Sequence, residues 1–123
     1  MDTLEFFRAK ADAYLSPVGL QELKGSSTPY FLVDVRLPVH DKPLELIPGA
    51  IWIPENEIRN RMSELPKDKL IVLYCWETWC SLATKAAIPL LEEGFRVKEL
   101  YGGVEAWRTI GFSFSEPAVA CSC

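Results

Sequence analysis

The chain has a single histidine, His40, set in the proline-rich stretch LPVHDKPLELIPG with no metal-ligating neighbour. A solvated side chain is expected there rather than a ligand. Basic residues are not in excess: 13 Lys and Arg stand against 17 Asp and Glu, a net charge of −4 at pH 7. Nucleic acids and anionic membranes both attract a basic face, so neither is expected as a partner. No apolar run approaches the roughly 20 residues of a membrane helix. The opening MDTLEFFRAK lacks a basic segment followed by an unbroken apolar stretch, so no secretory signal is expected and the cytoplasm is the expected compartment. Thiols stay reduced there. The 4 cysteines are therefore expected to be free, catalytic or metal-bound rather than structural disulfides. No internal repeat and no second domain is visible.

At 123 residues, with 49% apolar and 24% charged residues, the chain has the size and composition of one soluble globular domain. Asp2 and Glu5 have capping-box spacing, and Leu4, Phe7, Ala11 and Tyr14 follow at helical spacing, which predicts a helix over 3–14. Ser16, Pro17 and Gly25 mark the cap, first turn and stop of a second helix. YFLVDVR (30–36) reads as a strand buried on both faces. AIWIP (50–54) reads as a short strand, ENEIRNRMSEL as a short polar helix, and LIVLYC (70–75) as the most apolar strand. LATKAAIPLLEEG reads as a helix stopped by Gly94 and kinked or broken at Pro89. FRVKELY is a further strand, and GGVEAWRTIG a glycine turn, a short helix and a glycine stop. Alternating strands and helices predict an α/β domain, with a central, mostly parallel sheet and helices on both faces.

The chemistry concentrates in YCWETWCS, residues 74–81. Cys75 ends the most apolar strand, and ligands of open α/β sheets bind at the carboxyl ends of strands. Successive backbone N–H groups in the turn that follows, with a helix N-terminus behind them, form a nest for an anion. A thiolate is an anion, so such a nest makes a nucleophile of Cys75. A small apolar residue at a strand end reads equally well from spacing alone.

FLVDVRLPVH, IPGAIWIP, ELPKDKLIVLYC and LYGGVEAWRTIGF occur in this order and, together, resemble the rhodanese (sulfurtransferase) family over about Tyr30–Phe112. The resemblance implies a three-layer rhodanese-like domain at 29–114. Residues 1–28 then form an N-terminal helical extension packed on it, or its first elements, and 115–123 a tail with Cys121-x-Cys123. It also implies that Cys75 takes sulfane sulfur as a persulfide and passes it on, with Trp76, Glu77, Thr78, Trp79 and Cys80 as the cradle. Asp34 and Arg36 match the family's Asp-Val-Arg, which is mainly structural and lies near the site. The implied partners are a sulfane-sulfur donor, a small molecule or a protein persulfide, and a thiol acceptor. No cofactor and no metal is called for.

The loop departs from the family pattern. Many members carry arginine five residues after the cysteine, where this chain has Cys80. With Glu77 and no guanidinium, the loop is expected to bind thiosulfate poorly. A Cys-Trp-x-x-x-Cys loop also resembles that of a subgroup of small rhodanese-like proteins. Related phosphatases need one more loop residue and a terminal arginine, but position 81 is serine.

Cys80, Cys121 and Cys123 are candidate resolving thiols. A compact loop would bring Cys80 within disulfide reach of Cys75. The tail pair could also hold a soft metal, although tetrahedral zinc lacks its second pair. At least one of Trp76 and Trp79 is expected to pack locally, and an exposed ring at the mouth would suit a protein partner. The rival to an enzyme is a non-catalytic or redox-sensing rhodanese-like module using Cys75 and Cys80.

Overall fold

Asp2 starts the first helix in the computed structural model, which describes residues 1–38 and 45–115. Its carboxylate accepts the Glu5 N–H at 2.7 Å, and α1 runs over Thr3–Ala13. Ser16 caps α2, Pro17–Lys24, by accepting the Gly19 N–H at 2.9 Å. Ile58–Arg61 forms α3 between short 3-10 turns, Leu82–Glu92 forms α4, and Gly103–Ile110 forms α5.

Among the described residues, five parallel strands make one sheet: β1 (Tyr14–Leu15), β2 (Tyr30–Asp34), β3 (Ile51–Trp52), β4 (Leu70–Tyr74) and β5 (Arg96–Leu100), in the order β1-β5-β4-β2-β3. The expected α/β class is observed. β4 is the middle strand, and its unbroken apolar sequence follows from burial on both sides. Ile71 and Leu73 pack with Val33, Ile58, Ala83, Ala86 and Leu90 on one face. Val72 and Tyr74 pack with Leu20, Leu32, Leu100, Val104 and Trp107 on the other. Thus α3 and α4 cover one face, and α2 and α5 the other.

β1 is an element the sequence reading did not contain. It is two residues long and exists through its pairing, Tyr14 with Glu99 and Leu15 with Leu100. Both β1 and α2, which supplies the buried Leu20, are built into the sheet and its core. Pro89 lies inside α4 without breaking it. Its missing N–H would have served the carbonyl of Lys85, an exposed residue that water can satisfy instead.

The chain leaves β2 toward β3 on one side and leaves β4 toward β5 on the other. The carboxyl ends of β2 and β4 therefore flank a topological switch point, where such sheets open a crevice. α5 closes the floor beside it. The Val104 N–H donates to the Cys75 carbonyl at 3.0 Å, and the Glu105 N–H to the Trp76 carbonyl at 2.9 Å.

This approach requires glycine at 103. Its φ is +57°, and a Cβ there would overlap the Cys75 carbonyl oxygen. Gly111, which ends α5 at φ +95°, has open space around the same position. Gly111→Ala is therefore expected to cost about 1–2 kcal/mol, from the left-handed backbone alone. Gly103→Ala should cost a further ~1–3 kcal/mol, because the loop must also move. Urea denaturation of both variants checks this; equal losses would show that α5 does not press on the loop.

A candidate active site at the carboxyl end of the central strand

Cys75 directly follows β4 and is buried, 3% exposed, with its side chain in the cluster beneath α4. The peptide groups after it are held from the opposite face. The carbonyls of Cys75 and Trp76 both accept hydrogen bonds from the start of α5. No peptide bond among the described residues is cis. In a trans peptide the N–H points opposite to the C=O, so the N–H groups of Trp76 and Glu77 face away from α5. Among the described residues, the N–H groups of Trp76, Glu77, Thr78 and Trp79 have no hydrogen-bond acceptor. Four successive backbone N–H groups at a strand end are thus left without a protein acceptor, as the donors of an anion nest would be.

A buried ion pair anchors the first half of the loop. Asp34 and Arg36 are 0% and 2% exposed. Arg36 donates through Nε to both Asp34 oxygens, at 3.0 and 2.9 Å, and through Nη2 to Oδ2 at 2.6 Å. The Arg36 backbone N–H also donates to Asp34 Oδ1, at 2.9 Å. Nη2 donates further to the Glu45 carbonyl at 2.7 Å. The guanidinium lies 4.5 Å from the ring centre of Trp76, a stacking contact of about 0.5–2 kcal/mol. Trp76 is accordingly half-buried and fixed, whereas Trp79 is 79% exposed. Burial, followed by the nearby Asp34 charge, raises the Tyr74 phenol above its ordinary value. The neutral hydroxyl accepts the Ile47 N–H at 3.1 Å. Trp52 Nε1 donates to the Arg36 carbonyl at 2.8 Å.

The second half of the loop turns back. The Cys80 N–H donates to the Glu77 carbonyl at 3.1 Å, and Cys80 packs against the cluster that holds Cys75. The two sulfurs form a disulfide, with the Cα atoms 6.4 Å apart. The general expectation of reduced thiols gives way at this pair, because the turn reverses the chain within reach of a sulfur–sulfur bond. Glu77 is half-buried and Thr78 exposed. Cys121, Cys123 and His40 lie outside the described residues.

The structure links Asp34, Arg36 and Trp76 through the guanidinium, joins Cys75 to Cys80, and places Glu77 in the turn between them. The sequence reading did not find the supporting roles of Trp52, Tyr74, the Glu45 carbonyl and the α5 amides. Tyr74 and Trp52 lie in apolar strand segments whose pattern says nothing of their polar atoms, and backbone groups carry no sequence signal. Only the Gly102–Gly103 pair marked the place where α5 meets the loop.

A protein named sulfurtransferase from Allochromatium vinosum is 37% identical over 87 residues, 70% of this chain and 78% of that protein. An HTH-type transcriptional regulator of Mycobacterium tuberculosis is 40% identical over 87 residues, 71% of this chain, and the match spans only 38% of the regulator's length. Among solved structures, a Lactobacillus plantarum protein superposes with a TM-score of 0.82 at 25% identity, covering 92% of this chain and 96% of that one. A Bacillus halodurans protein does so at 0.79 and 34% identity, covering 91% and 82%. No helix among the described residues is long and apolar enough to cross a membrane. The model of the rhodanese-like domain matches residues 16–110, and the chain belongs to that family.

Proposed function

We propose that the chain is a sulfurtransferase that carries sulfane sulfur as a persulfide on Cys75 and passes it to a thiol or another nucleophilic acceptor. The observation that carries this reading is the set of unpartnered loop amides, from Trp76 to Trp79, directly after a cysteine at the end of the middle strand. Such donors stabilise negative sulfur at two stages: the attacking Cys75 thiolate and the terminal sulfur of the persulfide. In the first step the thiolate attacks the outer sulfur of a donor persulfide. The bond to the donor's inner sulfur breaks, and that sulfur leaves as a thiolate. Membership of the rhodanese-like family and the likeness to a protein named sulfurtransferase support the same class.

The donor class follows from charge. Arg36, whose guanidinium reaches the loop, is committed to Asp34, the Glu45 carbonyl and the Trp76 ring. Position 80 supplies a thiol instead of a cation, and Glu77 adds a negative charge. A dianion such as thiosulfate finds repulsion and no fork of donors, so an organic or protein persulfide fits better. The exposed Trp79 ring of the loop suits a protein or bulky organic partner. The Cys75–Cys80 disulfide favours a second reading, a module that responds to redox state without turnover.

Intact mass separates the two readings. The reduced Cys80→Ser protein, incubated with an organic persulfide, should gain one sulfur atom. The gain should map to Cys75 and disappear when Cys75→Ser is added. No gain at Cys75 would leave the redox module as the better reading.

Thiosulfate kinetics test the role of charge. Glu77→Lys should lower the KM for thiosulfate about 3- to 10-fold at low ionic strength, with the gain shrinking as salt rises. An unchanged KM at low salt would show that the Glu77 charge does not reach the bound donor.

A further inference from the structure

We infer that Cys80 is a resolving thiol that discharges the Cys75 persulfide from within the loop, making the domain a sulfide-releasing, thiol-dependent persulfide reductase. The inference rests on the proposed Cys75 carrier and goes beyond it, because it assigns a product and a co-substrate. The Glu77–Cys80 turn fixes the return of the chain at a backbone hydrogen bond of 3.1 Å. Cys80 packs inward against the cluster that contains Cys75, and the loop backbone holds the two Cα atoms 6.4 Å apart, within the range of a disulfide. Position 80 carries a thiol and no cation. This chain puts a second nucleophile there.

The chemistry balances. The Cys80 thiolate attacks the inner sulfur of the persulfide, the one bonded to Cys75 Cβ. A Cys75–Cys80 disulfide forms, the sulfur–sulfur bond of the persulfide breaks, and the outer sulfur leaves as hydrosulfide. The sulfane sulfur is reduced by two electrons, and the two cysteine thiols are oxidised. Two equivalents of a low-molecular-weight thiol, or one protein dithiol, then reduce the disulfide and reset the loop. In sum, one persulfide and two thiols give one thiol, one sulfide and one disulfide. Discharge would leave the Cys75–Cys80 pair bonded, as it is in the structure. In-line displacement places the departing sulfur opposite Cys80, so the resolving thiol does not compete for its position. Upstream there must be a reaction that makes persulfides, and downstream one that consumes sulfide.

The test is a single turnover under anaerobic conditions. It uses the full chain with Cys121→Ser and Cys123→Ser, with and without Cys80→Ser. Each reduced protein is exposed briefly to inorganic polysulfide and desalted, with no thiol added. Sulfide and intact mass are then followed. With Cys80 present, the persulfide should disappear with first-order kinetics independent of protein concentration. One sulfide per chain should be released and the Cys75–Cys80 disulfide left behind. In Cys80→Ser the persulfide should persist at least about tenfold longer, as expected when an intramolecular partner at millimolar effective concentration is removed. Equal lifetimes with sulfur mapped to Cys75 in both proteins would overturn the resolving role and leave the carrier intact. Absence of sulfur on Cys75 even in Cys80→Ser would overturn the carrier, and the inference with it.

Discussion

The contact between the start of α5 and the end of β4 constrains everything else in the site. Two α5 amides hold two successive loop carbonyls, those of Cys75 and Trp76, and Gly103 lets the backbones approach. The peptide planes are thereby set before any substrate arrives. Because each plane carries its N–H opposite its C=O, binding the carbonyls on the α5 face commits the amides to the other side. The same contact keeps α5 from being a ready anion site itself, since its first amides are occupied. The loop, not the helix, presents free donors.

The Asp34–Arg36 pair acts one step further out. A buried charge pair is weak evidence of stability, since desolvation offsets much of the attraction. Its value here is positional. The guanidinium joins β2, the Glu45 carbonyl and the Trp76 ring, and so ties the two loops at the switch point together. A guanidinium spent in this way is not free for a substrate. Glu77 and Cys80 add no cation to the loop, and this is the ground on which an organic or protein persulfide is proposed as the donor.

Much of this architecture was legible in the sequence. The apolar runs of β2 and β4 and the caps at Asp2, Ser16 and Gly111 rest on local patterns, and local patterns are what a sequence displays. β1 was not legible, because two residues carry no periodicity and the strand exists only through its partner. Pro89 predicts a kink or a break, and no break occurs: α4 continues through it, with Ala86 and Leu90 packed in the core. Trp76 and Trp79 could not be ranked in advance. Which ring stacks on Arg36 depends on where the loop turns, and that is set by backbone bonds from α5. The pairing of Cys75 with Cys80 likewise depends on a turn that spacing alone does not specify.

The central claim is that loop amides stabilise negative sulfur at Cys75, and ionisation of that thiol tests it most directly. Burial alone would raise its pKa, whereas an amide nest would lower it, so the two accounts differ in sign. The measurement is the pH dependence of thiolate absorbance in the ultraviolet, on reduced protein in which Cys75 is the only cysteine left. The account predicts a midpoint below the ordinary cysteine value of about 8.5. A midpoint at or above that value would contradict it.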